Sequence, residues 1–334
     1  MTDVEQIKEQ LYKHGYEYVQ TIGSGSYSNV FLCKSLKYNN FFAVKCISHH
    51  KVKEYEYNAL KNLHHPHIIQ LYEFFDELDN QYLVMDYCPN DTLKQKGQLD
   101  YNQFLTYSRQ VLEALSFCHS KLIAHRDIKP DNILLDRYNR VKLADFGFAK
   151  QFEDNSNSDE RVGSIMYCCP ELIKGQSSFN PFQADIYALG ITFFYMVTGE
   201  HPFPSVPIED LKRLITFGQI DFSQYDVDPE IQCLIMKMTS YNPKLRPTAN
   251  SILNLPIFQQ TEFSKSFAES KVKKINVYPV LSQKSYVCRP ASTRYSDSFV
   301  SNHSIRKKHL NRKKYYTNKC DIVQPNVFKA NYDF

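Results

Sequence analysis

Tryptophan is absent from this 334-residue sequence, and glycine occurs only ten times. None of the nine cysteines stands in a Cys-x-x-Cys pair or in a zinc-ligand spacing, which argues for reduced thiols inside a cell. The longest apolar run, 188–197, is about half the length of a membrane-spanning helix, so it predicts a buried helix instead. The first ten residues carry charges and no apolar core. We therefore expect no signal peptide and a cytoplasmic protein.

Charge is distributed unevenly along the chain. Residues 1–263 hold 25 basic and 32 acidic side chains, whereas residues 264–334 hold 15 basic and 4 acidic ones. Beyond about Phe263 the composition shifts toward Ser, Lys, Asn and Tyr, and the hydrophobic periodicity weakens. This pattern predicts a folded acidic domain followed by a basic, disordered tail.

Two short polar motifs lie close together in the middle of the chain. The first reads His-Arg-Asp-Ile-Lys-Pro-Asp-Asn at 125–132, and the second is Asp-Phe-Gly at 145–147, with two apolar runs and a turn between them. A hairpin of this kind holds two carboxylates and an amide together. Mg²⁺ prefers oxygen ligands, commonly one or two carboxylates plus substrate phosphates, and Asp145 and Asn132 could supply such ligands. Asp127 could accept the proton of an attacking hydroxyl.

The order and spacing of the two motifs resemble the catalytic loop and the Asp-Phe-Gly motif of the eukaryotic protein kinases. The resemblance covers about residues 16–258. It implies an α+β, bilobal fold with a small lobe of antiparallel β-sheet plus one helix and a larger, mainly helical lobe. Residues 1–15 would be an N-terminal extension, in which 3–13 have the pattern of a short amphipathic helix. Residues 264–334 would be the C-terminal tail.

A hairpin loop with the pattern Gly-x-Gly begins at Gly23. Glycine lets backbone N–H groups approach phosphate oxygens closely, although an isolated Gly-x-Gly is most often an ordinary turn. The resemblance implies that this loop covers the phosphates of ATP, and Ser28 replaces the third glycine of the family pattern. It also places adenine against the backbone of the hinge around Asp86 and Cys88. The implied nucleotide contacts are Ile22, Gly23, Ser24, Gly25, Ser26, Tyr27, Ser28, Asn29, Val30, Ala43, Lys45, Asp86, Cys88 and Leu134.

A lysine and a glutamate complete the implied nucleotide site. Lys45 ends the alternating strand pattern at 41–45. In the family the equivalent lysine contacts the α- and β-phosphates and pairs with a glutamate on the next helix. Glu54 and Glu56 are both candidates for that glutamate. Counting back from the His-Pro-His turn at 65–67 favours Glu56.

Further positions resemble residues that support the family's fold. They are Leu60, Leu71, His125 and Phe146 for an apolar stack between the lobes, Asp185 for the aspartate that ties the catalytic loop to a central helix, and Glu171 and Arg246 for a buried ion pair.

The activity implied by the resemblance is in-line transfer of the γ-phosphoryl group of ATP to a protein hydroxyl. Asp127 would act as the base, and Lys129 would neutralise charge on the transferring group. The implied catalytic residues are Asp127, Lys129, Lys45 and Glu56, and the implied Mg²⁺ ligands are Asn132 and Asp145. Two alternatives are a pseudokinase scaffold that uses the fold only for binding and a kinase of small molecules. The small-molecule kinase is disfavoured by the segment 163–171, which in the family docks a peptide. The scaffold is disfavoured because none of the polar residues that transfer requires is missing.

The segment after the Asp-Phe-Gly motif bears on the acceptor and on regulation. Lys129 and the Gly-Ser pair at 163–164 resemble Ser/Thr kinases, and 163–171 resembles most the calcium/calmodulin-dependent and AMP-activated-kinase-related group. Where that group has a phosphorylatable Thr, this chain has Glu160. Arg126 would pair with a phosphate there, so Glu160 is predicted to supply part of that negative charge. A solvated acidic loop without pairing is the alternative.

Protein substrates with Ser or Thr are the implied partners, and no specific nucleic acid is expected. Asp91 and Asp131 could attract a substrate arginine. Ser292, three residues after an arginine, is a candidate for autophosphorylation. For the basic stretch 305–314 three functions remain open: nuclear localisation through an import receptor, weak binding to anionic lipid, or contact with the acidic domain.

Overall fold

A computed structural model of the protein describes residues 3–25, 28–48, 55–153, 158, 160, 162–175 and 178–259. The chain divides into two units, Met1–Lys271 and Val272–Phe334, and every described residue belongs to the first. The sequence candidates that lie outside the described residues are Ser26, Tyr27, Glu54, Ser292 and the basic stretch 305–314.

The small lobe consists of α1 (Asp3–Lys13), β1 (Tyr16–Ser24), β2 (Ser28–Ser35), β3 (Phe41–Ser48), α2 (Tyr55–Leu60), β4 (Leu71–Glu77) and β5 (Asn80–Asp86). Its five strands form one antiparallel sheet in the order β1-β2-β3-β5-β4. The expected sheet with one helix, α2, is confirmed. Helix α1 is the amphipathic helix predicted at 3–13.

Helix α1 covers one face of this sheet. Successive residues of a strand point to opposite faces, so Val44 and Cys46 of β3 share one face and Lys45 lies on the other. Leu11 of α1 is fully buried in a cluster with Val44 and Tyr82. Helix α1 therefore packs on the face of the sheet that carries Val44 and Cys46. Lys45 lies on the opposite face, which is the face predicted to receive the nucleotide.

The large lobe is mainly helical. Its helices are α3 (Leu93–Lys96), α4 (Tyr101–Ser120), α5 (Pro170–Ile173), α6 (Pro181–Thr198), α7 (Ile208–Phe217), α8 (Pro229–Met238), α9 (Ala249–Leu253) and α10 (Pro256–Gln259), and its short strands are β6 (Asn90–Thr92), β7 (Ile123–Ala124), β8 (Ile133–Leu135), β9 (Val141–Leu143) and β10 (Lys150–Gln151). Among its described residues, 3₁₀ turns lie at Pro130–Asn132, Ile165–Tyr167 and Pro243–Leu245. The short strands pair as β6-β8-β9 and as β10-β7. The predicted bilobal α+β fold is confirmed.

Helix α6 is the most deeply buried helix of the large lobe. Nearly all of its side chains are buried, because the run 188–197 is apolar on every side. Asn180 caps its start by accepting a hydrogen bond from the backbone N–H of Gln183 at 3.0 Å, and Gly199 ends it with φ +76°. The apolar run is thus a buried helix, as predicted. Within the described part of the chain, no helix is both long and apolar enough to cross a membrane.

The main hydrophobic core joins the two lobes. Leu60 of α2 and Phe146 are fully buried in it, and Leu71 packs against it. The rings of His125 and Phe146 are in contact, with their centroids 4.6 Å apart. The apolar stack predicted between the lobes is present as continuous packing, which orients the catalytic loop relative to α2.

Candidate active site

Lys45 is the centre of a polar cluster on the inner face of β3. Its ammonium donates to both carboxylate oxygens of Glu56, at 2.9 and 2.7 Å, and to the carboxylate of Asp145 at 2.9 Å. The lysine comes from β3, the glutamate from α2 and the aspartate from the loop after β9, so three elements must pack correctly to form the cluster. The choice of Glu56 as the lysine's partner is confirmed.

Burial and neighbouring charges shift the pKa values of Lys45 and Asp145 in opposite directions. Burial alone would lower the pKa of the Lys45 ammonium, but Glu56 and Asp145 outweigh it, and the pKa lies above its ordinary value. Burial would raise the pKa of the Asp145 carboxyl, but Lys45 outweighs it, and that pKa lies below its ordinary value. Lys45 and Asp145 are therefore both charged at neutral pH.

The carboxylate of Asp127 accepts hydrogen bonds on both oxygens. Lys129 Nζ donates to Oδ2 at 2.7 Å, and Asn132 Nδ2 donates to the same oxygen at 3.0 Å. The backbone N–H and the hydroxyl of Ser164 donate to Oδ1 at 3.0 and 2.9 Å. Since Asp127 is only 4% exposed, these donors hold its carboxylate in one orientation.

Asp185 of α6 holds the backbone of the catalytic loop. Its carboxylate oxygens accept hydrogen bonds from the backbone N–H groups of His125 and Arg126, both at 2.8 Å. The ring of His119 lies 3.0 Å from one of these oxygens. Arg126 has φ +65°, a conformation that strains a residue other than glycine. The buried carboxylate thus stabilises a loop shape that the backbone alone disfavours, as the position of Asp185 predicted.

Arg126 also contacts the segment that follows the Asp-Phe-Gly motif. Its Nη1 donates to the Glu160 carboxylate at 3.0 Å, and Lys150 Nζ lies 3.4 Å from the same carboxylate. Its Nε donates to the carbonyl of Phe148 at 2.6 Å, while Nη2 is buried without a hydrogen-bond partner among the described residues. The paired arrangement is therefore found at Glu160, and not the solvated loop without pairing.

The chain passes very close to the catalytic loop at Gly163. This residue has φ +100°, and a Cβ there would lie 2.4 Å from the backbone carbonyl oxygen of Arg126. Only glycine fits such a position. The close approach brings the Ser164 hydroxyl within hydrogen-bond reach of both Asp127 and Lys129, whose Nζ donates to Ser164 Oγ at 2.8 Å.

The side chain of Asp86 makes hinge contacts that no sequence motif predicts. Lys142 Nζ and the Tyr72 hydroxyl donate to its carboxylate at 2.8 and 2.7 Å, and the backbone N–H of Gln70 donates at 3.1 Å. Tyr72 belongs to β4 of the small lobe and Lys142 to β9 of the large lobe. One carboxylate thus ties both lobes together at the hinge, where only the backbone of Asp86 was expected to act.

The predicted nucleotide contacts that the structure describes lie on β1, β2, β3 and β8, at the end of β5, and in the residues that directly follow β1 and β5. Gly23 pairs with Val30 across the hairpin. Ala43 comes two residues before Lys45 on β3 and therefore shares its face of the sheet. Leu134 lies half-buried on β8. Those of the predicted contacts that the structure describes thus belong to elements on both sides of the hinge.

Asp145 and Asn132 present the oxygen atoms that Mg²⁺ prefers. The Asp145 side chain is 43% exposed, so its carboxylate is accessible. Asn132 Nδ2 donates to the backbone carbonyl of Asp127 at 2.8 Å, which turns the amide oxygen of Asn132 away from that group. The described residues contain no group of three or more His, Cys, Asp or Glu that could hold a metal ion. Asp145 and Asn132 supply one carboxylate and one amide oxygen, and such a donor set fits an Mg²⁺ ion that takes its other ligands from substrate phosphates.

A buried ion pair lies beyond the catalytic loop. Arg246 Nη1 and Nη2 donate to the two carboxylate oxygens of Glu171 at 2.6 and 2.8 Å. Arg246 also donates to the backbone carbonyls of Ser240 and Gln183, at 2.8 and 3.0 Å. Both charged side chains are almost completely buried. The pairing predicted for Glu171 and Arg246 is confirmed, and it fixes the start of α5.

The two-lobed fold and a site built from an ion-paired lysine, a hydrogen-bonded aspartate and a second, accessible aspartate define the class of the protein kinases. The protein kinase domain family matches residues 16–258, and the chain belongs to this family.

Three curated relatives illustrate what the chain is similar to. It is 33% identical over 259 residues to "Probable serine/threonine-protein kinase MARK-A" of Dictyostelium discoideum. It is 30% identical over 254 residues to "NUAK family SNF1-like kinase 1" of Homo sapiens, and 27% identical over 273 residues to "Sperm motility kinase Z" of Mus musculus. These relatives support the resemblance to the AMP-activated-kinase-related group. The matches cover 74, 72 and 80% of this chain but 24, 38 and 54% of the relatives, so the chain spans between about a quarter and about half of their length.

Proposed function

We propose that this protein is a Ser/Thr protein kinase that transfers the γ-phosphoryl group of ATP to protein substrates. The observation that carries the proposal is the Lys45–Glu56 ion pair at 2.7 Å, with Asp145 at 2.9 Å from the same ammonium. In this family the pair between the strand lysine and the helix glutamate must be in place for transfer. The names of these relatives, all kinases and one of them a serine/threonine kinase, support the same activity.

The alternative is a pseudokinase that uses the fold only for binding. A scaffold needs neither the ion pair of Lys45 nor an oriented carboxylate at Asp127. Both are intact, and the donors around Asp127 are the side chains of Lys129 and Asn132 expected from the motif. This combination favours catalysis over binding alone.

Asp127 is proposed to receive the proton of the acceptor hydroxyl. The contacts of Ser164 support this role, because its hydroxyl lies within hydrogen-bond distance of both Asp127 and Lys129. As the substrate oxygen forms its bond to the γ-phosphorus, the bond to the bridging oxygen of ADP breaks, and the hydroxyl proton passes to Asp127. The ammonium of Lys129 offsets negative charge on the transferring group.

Asn132 and Asp145 are proposed to hold Mg²⁺, and Lys45 to contact the α- and β-phosphates. The ion, when bound, neutralises charge on the phosphates. Adenine is proposed to contact the hinge backbone at 86–88. The rigidity of this hinge is supported by the three donors to the Asp86 carboxylate.

We also propose that Glu160 replaces part of an activation-segment phosphate, so that basal activity requires no upstream kinase. Support comes from its contact with Arg126, which directly precedes the catalytic aspartate, and from the second cation, Lys150. A carboxylate carries less charge and fewer acceptor oxygens than a phosphate, so the replacement is partial.

The proposed function is tested with purified wild-type and Asp127→Asn proteins, ATP and Mg²⁺, and degenerate peptide libraries centred on Ser, Thr or Tyr. We expect incorporation into the Ser and Thr libraries, and a loss of about a hundredfold or more in Asp127→Asn because the base is removed. Nucleotide binding, followed by thermal shift, should be retained in both proteins. Binding without any transfer by the wild type would support the scaffold instead.

The remaining functions proposed for this chain concern its location and its tail. Autophosphorylation at Ser292, location in the cytoplasm or nucleus, and binding of the basic stretch 305–314 to anionic lipid or an import receptor rest on sequence alone. Truncation after Phe263 tests whether the tail contacts the acidic domain. Identical rates for full-length and truncated protein would argue against such a contact.

A further inference from the structure

Helix α3 follows the hinge and lies beside the catalytic loop. Thr92 and Gln95 form a capping box at its start, in which each side chain accepts a hydrogen bond from the other's backbone N–H, at 3.2 and 3.0 Å. Leu93 is fully buried, and the helix packs against the turn Pro130–Asn132. Gly97 ends the helix with φ +70°. The capping box thus fixes the start of this four-residue helix, the burial of Leu93 fixes the face that packs on the catalytic loop, and Gly97 fixes its end.

Lys94 is held on this helix by Tyr195 of α6. Its ammonium lies 4.4 Å from the centroid of the Tyr195 ring, and the Tyr195 hydroxyl donates to the backbone carbonyl of Lys94 at 2.8 Å. Tyr195 is itself buried, so it is a fixed support. A cation–π contact positions the ammonium and leaves its charge in place. Among the described residues, no carboxylate forms an ion pair with Lys94.

Helix α3 brings Lys94 next to the catalytic loop, because the helix packs against the turn Pro130–Asn132. The rings of Tyr167, in the activation segment, and His201 are in contact, with centroids 5.4 Å apart. Burial raises the pKa of the Tyr167 hydroxyl, and Asp131 and Tyr195 raise it further because they lie near. Burial lowers the pKa of His201, and Lys94 contributes to the same direction. The packing of α3 on the turn Pro130–Asn132 and the contact of Lys94 with Tyr195 therefore make Lys94 a neighbour of the catalytic loop.

Charged side chains of both signs lie on the elements near the catalytic loop. Asp131 is exposed on the turn of the catalytic loop, and Asp91 is exposed on β6. Glu200 accepts a hydrogen bond from Tyr225 at 2.7 Å. Lys94 places an exposed ammonium on α3. A bound peptide would thus meet a carboxylate near the acceptor hydroxyl and a cation at a separate position.

We infer that Lys94 is a specificity-determining residue that selects an acidic side chain at one position of the substrate peptide. This inference rests on the proposed kinase function and names part of its substrate class. A substrate carboxylate at that position would pair with an ammonium whose place is already set, whereas an arginine would meet like charge. The attraction of arginine expected from Asp131 concerns a different position of the peptide.

The experiment compares position-scanning Ser/Thr peptide libraries phosphorylated by wild type, Lys94→Glu and Lys96→Glu. Lys96 is the matched control, because it lies on the same short helix, is exposed, and changes charge by the same amount. In the wild type we expect Glu or Asp to be favoured over Arg at one position by up to about fivefold, the range of an exposed ion pair. Lys94→Glu should reverse this preference, and Lys96→Glu should retain it.

A further variant controls for the possibility that Lys94→Glu disturbs the folded structure. Lys94→Met keeps an unbranched side chain on the Tyr195 ring and removes the charge, so it should lose the acidic preference without gaining a basic one. A Lys94→Glu profile equal to that of the wild type, or a wild type without acidic preference at any position, would overturn the inference. Failure of all these proteins to phosphorylate any peptide would instead overturn the proposed function.

Discussion

Arg126 Nη1 lies 3.0 Å from the Glu160 carboxylate, and this ion pair joins the catalytic loop to the activation segment. The arginine side chain is only 4% exposed and the glutamate 24%. Lys150 provides a second cation at 3.4 Å. Because the pair is largely sheltered from water, it is stronger than an exposed one. We expect it to hold the segment in place without a phosphate.

Removal of this carboxylate should reduce basal activity. Glu160→Ala leaves the buried guanidinium of Arg126 without its acidic partner, and we expect the rate of unphosphorylated enzyme to fall about tenfold. Steady-state kinetics on phosphatase-treated protein measure the change. Glu153→Ala removes an exposed carboxylate from the same segment and should leave the rate unchanged. Equal rates for Glu160→Ala and wild type would show that the pair is dispensable.

Asp136 should make stability depend on pH. Its carboxylate accepts hydrogen bonds from the backbone N–H groups of Tyr138 and Arg140 and from the Arg140 side chain, at 2.8, 2.9 and 2.8 Å. Burial alone would raise its pKa, but these donors outweigh it and hold the pKa below its ordinary value. The stabilisation is therefore complete above the unfolded pKa of about 3.9 and is lost as the pH falls through the lower, folded pKa.

Asp136→Asn is accordingly expected to lower Tm by about 5 °C at neutral pH, from the loss of a charged acceptor. The difference from wild type should shrink as the buffer is taken from about pH 5 to about pH 3. Scanning calorimetry or dye-based melting measures it. Asp79→Asn, in an exposed turn, makes the same change of charge and should shift Tm by less than about 1 °C. A difference independent of pH would exclude this role for Asp136.

The Glu171–Arg246 pair should be costly to break from one side. Glu171→Ala leaves Arg246 buried and unpaired, which lowers the free energy of unfolding by about 3–5 kcal/mol. The double variant Glu171→Ala/Arg246→Met should be more stable than Glu171→Ala alone, because no uncompensated charge remains. Urea unfolding of the single and double variants provides the comparison. A double variant as unstable as the sum of both single variants would mean that the charges act independently.

Helix α1 should contribute to the stability of the small lobe although it precedes the span matched by the family. Leu11 is fully buried, so Leu11→Ala should reduce the free energy of unfolding by about 3 kcal/mol. The neighbouring Tyr12 is 64% exposed, and Tyr12→Ala should change it by less than about 0.5 kcal/mol. Equal stability of the two variants in urea unfolding would show that α1 is not part of the folding unit.

Local patterns predicted the elements that carry the site. The amphipathic pattern at 3–13 matches α1, Asp3–Lys13, and the apolar run at 188–197 lies within α6. Lys45 and Glu56 were paired by counting from a nearby turn, which works because a strand and the helix after it are close in sequence. Helix bounds and the lysine–glutamate pair are therefore largely local information.

Contacts between distant polar residues were not predictable in this way. Asp86 and Lys142 are 56 positions apart, and Lys94 and Tyr195 are 101 positions apart. Each of these residues is unremarkable in its own stretch of sequence, and no motif spacing links the partners. Their contacts depend on how β9 and α6 pack against the hinge and α3.

The sequence by itself determined the class of this protein and the side chains that carry its chemistry, because both depend on residue types at short, regular spacings. Only the tertiary structure decided the charge contacts that the motifs left open or did not specify. Glu160 lies against Arg126, and Lys94 lies on an aromatic ring without an acidic partner among the described residues, because segments far apart in the chain pack side by side. Electrostatic interactions depend on distance and burial, and these quantities exist only in the folded chain.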